Sequence, residues 1–203
     1  SLGEANDEDG PEMKSRSRRG KREGGGNSAS LVAVGERGAL FRSYLDGREI
    51  GLTPESSVAA QKQLGADIII PLDELPPLHI TPQRLAESVQ LSHRWMARSL
   101  RAHLADPRQQ AMYAVVHGGI DREQRRKSVE YLSSLPFDGF AIGGSLGKDR
   151  AEMLELLKYL MPLVPDDKPN HLLGIADPES ADAVVRLGID TLDSCIPPRI
   201  ARH

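Results

Sequence analysis

The sequence predicts an α/β fold in which parallel strands alternate with helices. Three observations carry this. From Thr53 onward, short apolar runs of strand length alternate with longer runs of helical period. The helical runs open on capping pairs at Thr53-Pro54, Thr81-Pro82 and Asp177-Pro178. The expected strand ends, at Asp73, His117, Gly144, Leu173 and Asp193, lie 44, 27, 29 and 20 residues apart. That spacing leaves room for a helical crossover each time, and so for parallel neighbours joined right-handedly.

Residues 1–30 read as a solvated low-complexity segment. They mix acidic residues, the basic run from Lys14 to Arg22, and Gly24-Gly25-Gly26, with too little apolar surface to offset ordering entropy. The basic run is read as part of that segment rather than as a nucleic-acid arm. Ordered pattern begins at Leu31. Leu31 to Val34 and Ala39 to Tyr44 are short strands, with Asp46-Gly47 as a turn. A helix follows from Pro54 to Leu64, stopped by Gly65, and then a buried strand from Asp67 to Leu72. The next helix runs from Pro82 to about Leu104, with Leu85, Val89, Met96 and Leu100 near helical period.

Ala111 to Val116 is the second strand of the alternating series. Asp121, with Gln124 three residues on, has the form of a capping box for a helix to Leu135. Phe137 to Ile142 is the third strand. A helix from Asp149 to Met161 places Met153, Leu156, Leu157, Leu160 and Met161 on one face. His171 to Ile175 is the fourth strand, Asp177 to about Leu187 a helix, and Asp190 to Ile196 the fifth strand. Five strands with four intervening helices fit an open doubly wound sheet and part of an eight-strand barrel alike; the alternation does not separate them.

With 203 residues the chain has enough length for one core. Its net charge of −3 gives no bulk electrostatic case for nucleic acid, so any RNA contact must come from local groups. The one cysteine, Cys195, excludes an internal disulfide and fits a reducing compartment. No apolar run reaches membrane-spanning length. The first residue is Ser1 rather than Met, which reads as a fragment or a processed product.

In parallel α/β architectures, function gathers at the C-terminal ends of strands. Those ends read Leu72-Asp73-Glu74, Val116-His117-Gly118-Gly119, Ile142-Gly143-Gly144, Leu173-Gly174-Ile175 and Leu192-Asp193-Ser194-Cys195. Carboxylates, an imidazole and glycines that admit a close ligand would converge on one rim, which suits a flat hydrogen-bonding ring such as a purine. Each residue also has a plainer reading. An aspartate late in a strand often forms a turn, with Glu74 able to share the role of Asp73. A lone His117 is more often packed than catalytic, Gly143-Gly144 fits a simple turn or a phosphate site, and Cys195 reads as a small buried side chain.

At these residues the sequence resembles the tRNA-guanine transglycosylase family. The string from Asp190 to His203, with Asp193, Pro197, Arg199 and Arg202, is similar to that family's signature. Other pieces fall in family order: Leu52-Thr53-Pro54-Glu55, Gly65-Ala66-Asp67-Ile68, Leu72-Asp73-Glu74, His117-Gly118-Gly119, Phe137 to Gly144, and Leu163 to Pro169. The resemblance covers residues 31 to 203, which it implies are the C-terminal portion of a TIM (β/α)8 barrel, a partial barrel of about five parallel strands.

The resemblance implies an enzyme, a pentosyltransferase that exchanges guanine in tRNA, at the wobble position, for queuine or a related deazaguanine. Asp193 would be the nucleophile. Asp73, His117, Gly143, Gly144 and Leu173 would bind the base, and Arg199 and Arg202 would contact RNA. His117 stands where the family usually has Gln, Leu173 where it usually has Met, Leu75 where Cys or Val is frequent, and Pro198 where it has Thr. The family's second catalytic aspartate would lie upstream of these residues. Its zinc ligands would lie downstream, so no metal ligand is expected in this chain and zinc only in the full-length protein. tRNA, a guanine- or queuine-like base, and a homodimer or a heterodimer with a family paralogue are the implied partners, with no membrane. The implied compartment is the cytoplasm or an organelle. The alternative is a non-catalytic tRNA-binding accessory subunit of the same family, which need not keep Asp193.

Overall fold

The computed structural model describes residues 30–77, 79–175 and 177–202, so the expected low-complexity segment before Ser30 lies outside the described residues. The chain divides into two units. The described part of the smaller one, residues 30–34 and 39–51, contributes most of a three-stranded sheet in the order β1 (Ser30–Gly35), β2 (Gly38–Arg42), β3 (Glu49–Leu52). The loop between β2 and β3 is closed by the Ser43 N–H donating to the Arg48 carbonyl at 2.9 Å, and by the Gly47 N–H donating to the Ser43 carbonyl at 3.0 Å. β3 was not expected: Glu-Ile-Gly-Leu carries only two apolar side chains, too few to register as a strand pattern.

The larger unit holds the alternating series. Its elements are α1 (Pro54–Leu64), β4 (Ile68–Ile69), α2 (Pro82–Leu104), β5 (Ala111–Val116), α3 (Arg122–Ser133), β6 (Gly139–Ile142), α4 (Arg150–Leu160), β7 (Asn170–Leu172), α5 (Pro178–Val185), β8 (Thr191–Leu192) and α6 (Ile196–Ile200). The five strands form one sheet in the order β4-β5-β6-β7-β8, and every neighbouring pair is parallel. A doubly wound sheet reverses its strand order at a switch point. This one does not, and it is a partial (β/α)8 barrel, resolving the alternative that the alternation left open.

The helices begin where the sequence supplies acceptors for their first N–H groups. Thr53 Oγ1 accepts from the Ser56 N–H at 3.1 Å, while Ser56 Oγ accepts from the Thr53 N–H at 2.9 Å. Thr81 caps α2 by accepting the Arg84 N–H and Asp177 caps α5 by accepting the Ser180 N–H, each followed by proline. Asp121 Oδ1 accepts from the N–H groups of Glu123 and Gln124, which starts α3 immediately behind the end of β5. Among the described residues no helix is long and apolar enough to cross a membrane.

Two aspartates at the N-terminal ends of strands fix the register. Asp138, just before β6, accepts the Met112 N–H of β5 at 2.8 Å and returns its own N–H to the Met112 carbonyl at 2.9 Å. Asp190, just before β8, does the same with Asn170 of β7, at 2.7 and 2.8 Å. A one-residue slip would flip every side chain to the other face of the sheet, so these pairs decide which residues reach the rim. β5 and β6 are buried almost throughout, as central strands covered on both faces are. Phe140, Ile142, Leu132, Leu157 and Leu160 are wholly buried in the main core, each stabilising by roughly 1.5–3 kcal/mol relative to exposure.

The strands are shorter than expected at the rim. β4, β7 and β8 stop at Ile69, Leu172 and Leu192, where the sequence predicted extension to Leu72, Ile175 and Ile196. Gly174 turns the chain with φ 75°, and Pro197-Pro198 fall within α6. Past these ends the chain leaves the sheet, and after β8 it enters α6 at Ile196.

Candidate active site

All five strand-end positions lie at the C-terminal ends of parallel strands; contacts join Asp73 to His117 and, through the Gly174 N–H, the turn after β7 to Asp193. Asp73 follows β4, and its Oδ2 lies 2.8 Å from His117 Nε2 at the end of β5. The carboxylate oxygen is off the ring N–H direction, however, and Nε2 is buried without an aligned hydrogen-bond partner. Of the two groups, the Asp73 carboxylate is partly exposed and the His117 imidazole is buried. Glu74 does not share this position. Its carboxylate pairs with Arg84 of α2, and its N–H donates to Ser92 Oγ at 2.9 Å.

The end of β5 is braced from beneath by α3. Arg125 is fully buried, and its guanidinium donates to three carbonyls: Val116 at 2.7 Å, Gly119 at 2.8 Å and Ser145 at 3.0 Å. One side chain thereby ties the loop after β5 to the loop after β6. Burial pushes Arg125 down to about 9, which still leaves it a cation at neutral pH. One turn on, Ser128 Oγ accepts the His117 N–H at 3.1 Å and lies 2.9 Å from His93 Nε2 on α2. Burial, with the nearby His117 and Arg94, lowers His93 to about 4. His93 is thus neutral, and the Ser128 hydroxyl can donate to it while accepting from His117. Gly118 is where α3 meets this loop: a Cβ there would come 2.6 Å from the Arg125 backbone nitrogen, and its φ of 140° is itself unfavourable for other residues.

β6 ends in Gly143-Gly144. Gly144 has φ 76°, and a Cβ on it would stand 3.4 Å from His117 Nδ1. A cavity of about 350 Å³ opens here, with His117, Gly118, Gly119, Gly144 and Ser145 on one side and Pro76, Leu85 and Val89 among those on the other. Leu173, at the end of β7, donates its N–H to the Ile142 carbonyl at 3.1 Å, and its Cδ1 would lie 3.0 Å from a Cβ on Gly143. The next N–H, of Gly174, donates to Asp193 Oδ1 at 2.7 Å. The same oxygen lies 3.2 Å from His171 Nε2, and His171 Nδ1 lies 2.8 Å from Thr191 Oγ1.

Asp193 stands at the exposed end of this rim, its side chain 57% accessible, against 4% for His117. Arg199 and Arg202 are exposed, on and just after α6, and no described contact brings them to the rim; the Arg199 guanidinium meets Cys195 Sγ at 3.1 Å. Cys195, expected to be buried, is exposed, because the chain leaves the sheet at Leu192 and enters α6. Among the described residues no group of three or more His, Cys, Asp or Glu side chains is placed to hold a metal ion. The residues present do not fit a thiolate zinc site.

Sequence reasoning missed Arg125, Ser128 and His171. The first two lie within a helix rich in charge, REQRRKSVEYLS, where nothing marks which arginine turns inward. Their spacing was a usable signal: Arg125, Ser128, Val129 and Leu132 follow the helical period. His171 has the period of a strand, two residues before Leu173 and so on the same face.

The family model for queuine tRNA-ribosyltransferase matches residues 21–203. The chain is 57% identical over 192 residues, 95% of its length, to the queuine tRNA-ribosyltransferase of Protochlamydia amoebophila, covering 48% of that protein. It is 50% identical to that of Chlamydia caviae, covering 95% of this chain and 50% of the relative. It is also 50% identical to that of Chlamydia pneumoniae, covering 91% and 49%. The chain belongs to the queuine tRNA-ribosyltransferase family, and it spans about half the length of these relatives.

Proposed function

We propose that the protein exchanges guanine in tRNA, at the wobble position, for queuine or a related deazaguanine, by covalent double displacement at Asp193. The observation that carries this reading is the placement of Asp73, His117, Gly144, Leu173 and Asp193 at the C-terminal ends of neighbouring parallel strands, with Asp73 against His117 and the Gly174 N–H on Asp193. It supports hydrogen-bonding groups for a purine edge on the same rim as a carboxylate with one oxygen free. Asp193 Oδ2 has no hydrogen bond within the described residues, whereas Oδ1 is held by Gly174 and His171.

A carboxylate suits both halves of the reaction. It stabilises an oxocarbenium-like transition state, forms an ester to the ribose C1′ as the glycosidic bond breaks, and leaves again when the new base attacks. The departing guanine gains the proton that the incoming base loses, so the exchange balances. Asp73 would accept from the ring N–H and exocyclic amine of the base, and His117 would meet a further edge through one nitrogen. The backbone at Gly143-Gly144 would meet the base carbonyl, and Leu173 would pack on the ring. Arg199 and Arg202, exposed near Asp193 in sequence, would contact tRNA backbone.

The zinc of the complete protein, with ligands beyond these residues, and pairing with a second copy or a paralogue belong to the same proposal, as does a cytoplasmic or organellar place of action. Retention of Asp193 sets the enzyme above an accessory subunit.

The test uses the full-length protein with tRNA and a base analogue on denaturing gels. Wild type leaves a covalent protein–RNA band, and Asp193→Asn leaves none, with turnover reduced by orders of magnitude. A full-intensity band from Asp193→Asn would place the attacking group elsewhere and overturn the reading.

A further inference from the structure

The side chain of His171 engages β8 through both ring nitrogens, and no step of the proposed exchange uses it. β7 and β8 are in register, His171 opposite Thr191, so Thr191 and Asp193 lie on the face that His171 shares. Nδ1 meets Thr191 Oγ1 at 2.8 Å and Nε2 meets Asp193 Oδ1 at 3.2 Å. When the Thr191 hydroxyl donates to Nδ1, the ring proton resides on Nε2 and is directed to the carboxylate. The Gly174 N–H reaches the same oxygen at 2.7 Å. Two donors from one strand and its following turn therefore converge on Oδ1, and neither touches Oδ2.

We propose that His171 is a positioning residue for the nucleophile: with the Gly174 N–H it anchors Asp193 Oδ1, so that Oδ2 is the atom that attacks and later leaves. The inference rests on the assignment of Asp193 as nucleophile. An exposed carboxylate on a loop rotates freely unless one oxygen is held, and misorientation of a reacting group is costly in rate. The anchor also serves the second half of the reaction. In the ester, Oδ1 is the carbonyl oxygen and Oδ2 is bonded to C1′. When the incoming base forms its bond to C1′, the C1′–Oδ2 bond breaks and its electron pair returns to the carboxylate. The negative charge that reappears is shared with Oδ1, where two N–H groups receive it. The Nε2 proton stays on His171 throughout, so the proton balance of the exchange is unchanged. A neutral donor serves this purpose as well as imidazole, and an apolar ring of similar size does not.

The experiment compares His171→Phe and His171→Gln with wild type in the full-length protein, following kcat, both KM values and the decay of the covalent intermediate after base is added. His171→Phe should lower kcat and slow that decay by roughly tenfold to hundredfold, the range for losing a hydrogen bond to a charged group. KM for tRNA and for base should stay within about twofold, since neither is expected to touch His171. His171→Gln, which keeps an N–H near the Nε2 position, should recover most of the loss. Thr191→Val serves as a second variant at an exposed site where folding is not at risk. It removes the partner that sets the tautomer, and kcat should fall several-fold. Turnover and decay in His171→Phe equal to wild type, or equal impairment in His171→Gln and His171→Phe, would overturn the proposal. Normal turnover by Asp193→Asn, run alongside, would instead remove the assignment of the nucleophile on which it rests.

Discussion

The two sides of the rim are built on different principles. On the β5–β6 side, His117 is buried and each loop is fixed from beneath by α3, through the three carbonyl bonds of Arg125 and the hydroxyl of Ser128. On the β7–β8 side, Asp193 is exposed at the end of a two-residue strand, held only by its neighbours His171 and Gly174 in the adjoining strand and turn. The first arrangement keeps a shape; the second keeps one atom in place and leaves the other accessible. Recognition of a rigid planar base requires the former. A carboxylate that must bond to a large substrate and then release it requires the latter, because its free oxygen has to be reached from solvent.

Loss of the proposed nucleophile is the largest effect expected and falls on the exposed side alone: Asp193→Asn should abolish covalent capture while the Kd for tRNA changes little. The next largest should come from the braced side. Arg125→Ala leaves three inward carbonyls without their donor, and thermal or urea unfolding should show a loss of about 3 kcal/mol or more. The base KM should rise with it, because the loops after β5 and β6 lose their common tie. Arg125→Lys should recover little, since one ammonium cannot span carbonyls on three separate residues in the fixed fork of a guanidinium. An Arg125→Ala protein of unchanged stability and base KM would show that the two sides do not differ in this way. A smaller effect is expected at the β4 edge of the braced side, where Asp73 meets His117. Asp73→Asn turns an amide donor toward an N–H edge, and steady-state kinetics should show the base KM raised roughly tenfold or more, with the tRNA KM little changed.

The residues on the two sides were unequally legible in the sequence. Asp193 and Asp73 stood out because the family resemblance runs through both, and spacing alone put both at the same end of a parallel sheet. Asp190 and Asp193 show the limit of that reasoning. They lie three residues apart in one motif, but Asp190 staples β8 to β7 at one end while Asp193 reaches the rim at the other. Composition does not distinguish them; register does. The open choice between sheet and barrel had the same origin, since βα alternation is common to both and only the spatial strand order separates them. Arg125 and Ser128 were missed for a different reason. A buried arginine with carbonyl partners and no carboxylate leaves no pairing signal in the sequence, and α3 offers three other basic residues at its surface. The strand ends were overextended because apolar residues continue past the last ladder pairs, as at Ile70 and Leu72 after β4 and Leu173 and Ile175 after β7, where the backbone has already left the sheet.

The smallest effect concerns His93, which supports the braced side from two residues away. Its imidazole stacks on Tyr131, with ring centroids 4.7 Å apart, and its Nε2 faces Ser128 Oγ, which in turn accepts the His117 N–H. Burial holds His93 near 4, against 6.5 for the free side chain. Between those values the unfolded chain binds a proton that the native state does not, so stability falls as the pH is lowered through this window and is fully present above about 6.5. At about pH 4.5 the cost should be on the order of 2 kcal/mol relative to neutral pH. Protonation would also make Nε2 a donor and force the Ser128 hydroxyl to turn away, loosening the bond to His117. His93→Gln keeps an acceptor for Ser128 but cannot titrate. Urea midpoints at about pH 7 and about pH 4.5 should therefore draw together in the variant by that amount, whatever its stability at neutral pH. If the acid loss is the same in wild type and variant, His93 is not held neutral, and the support of the β5 loop must come from Arg125 alone.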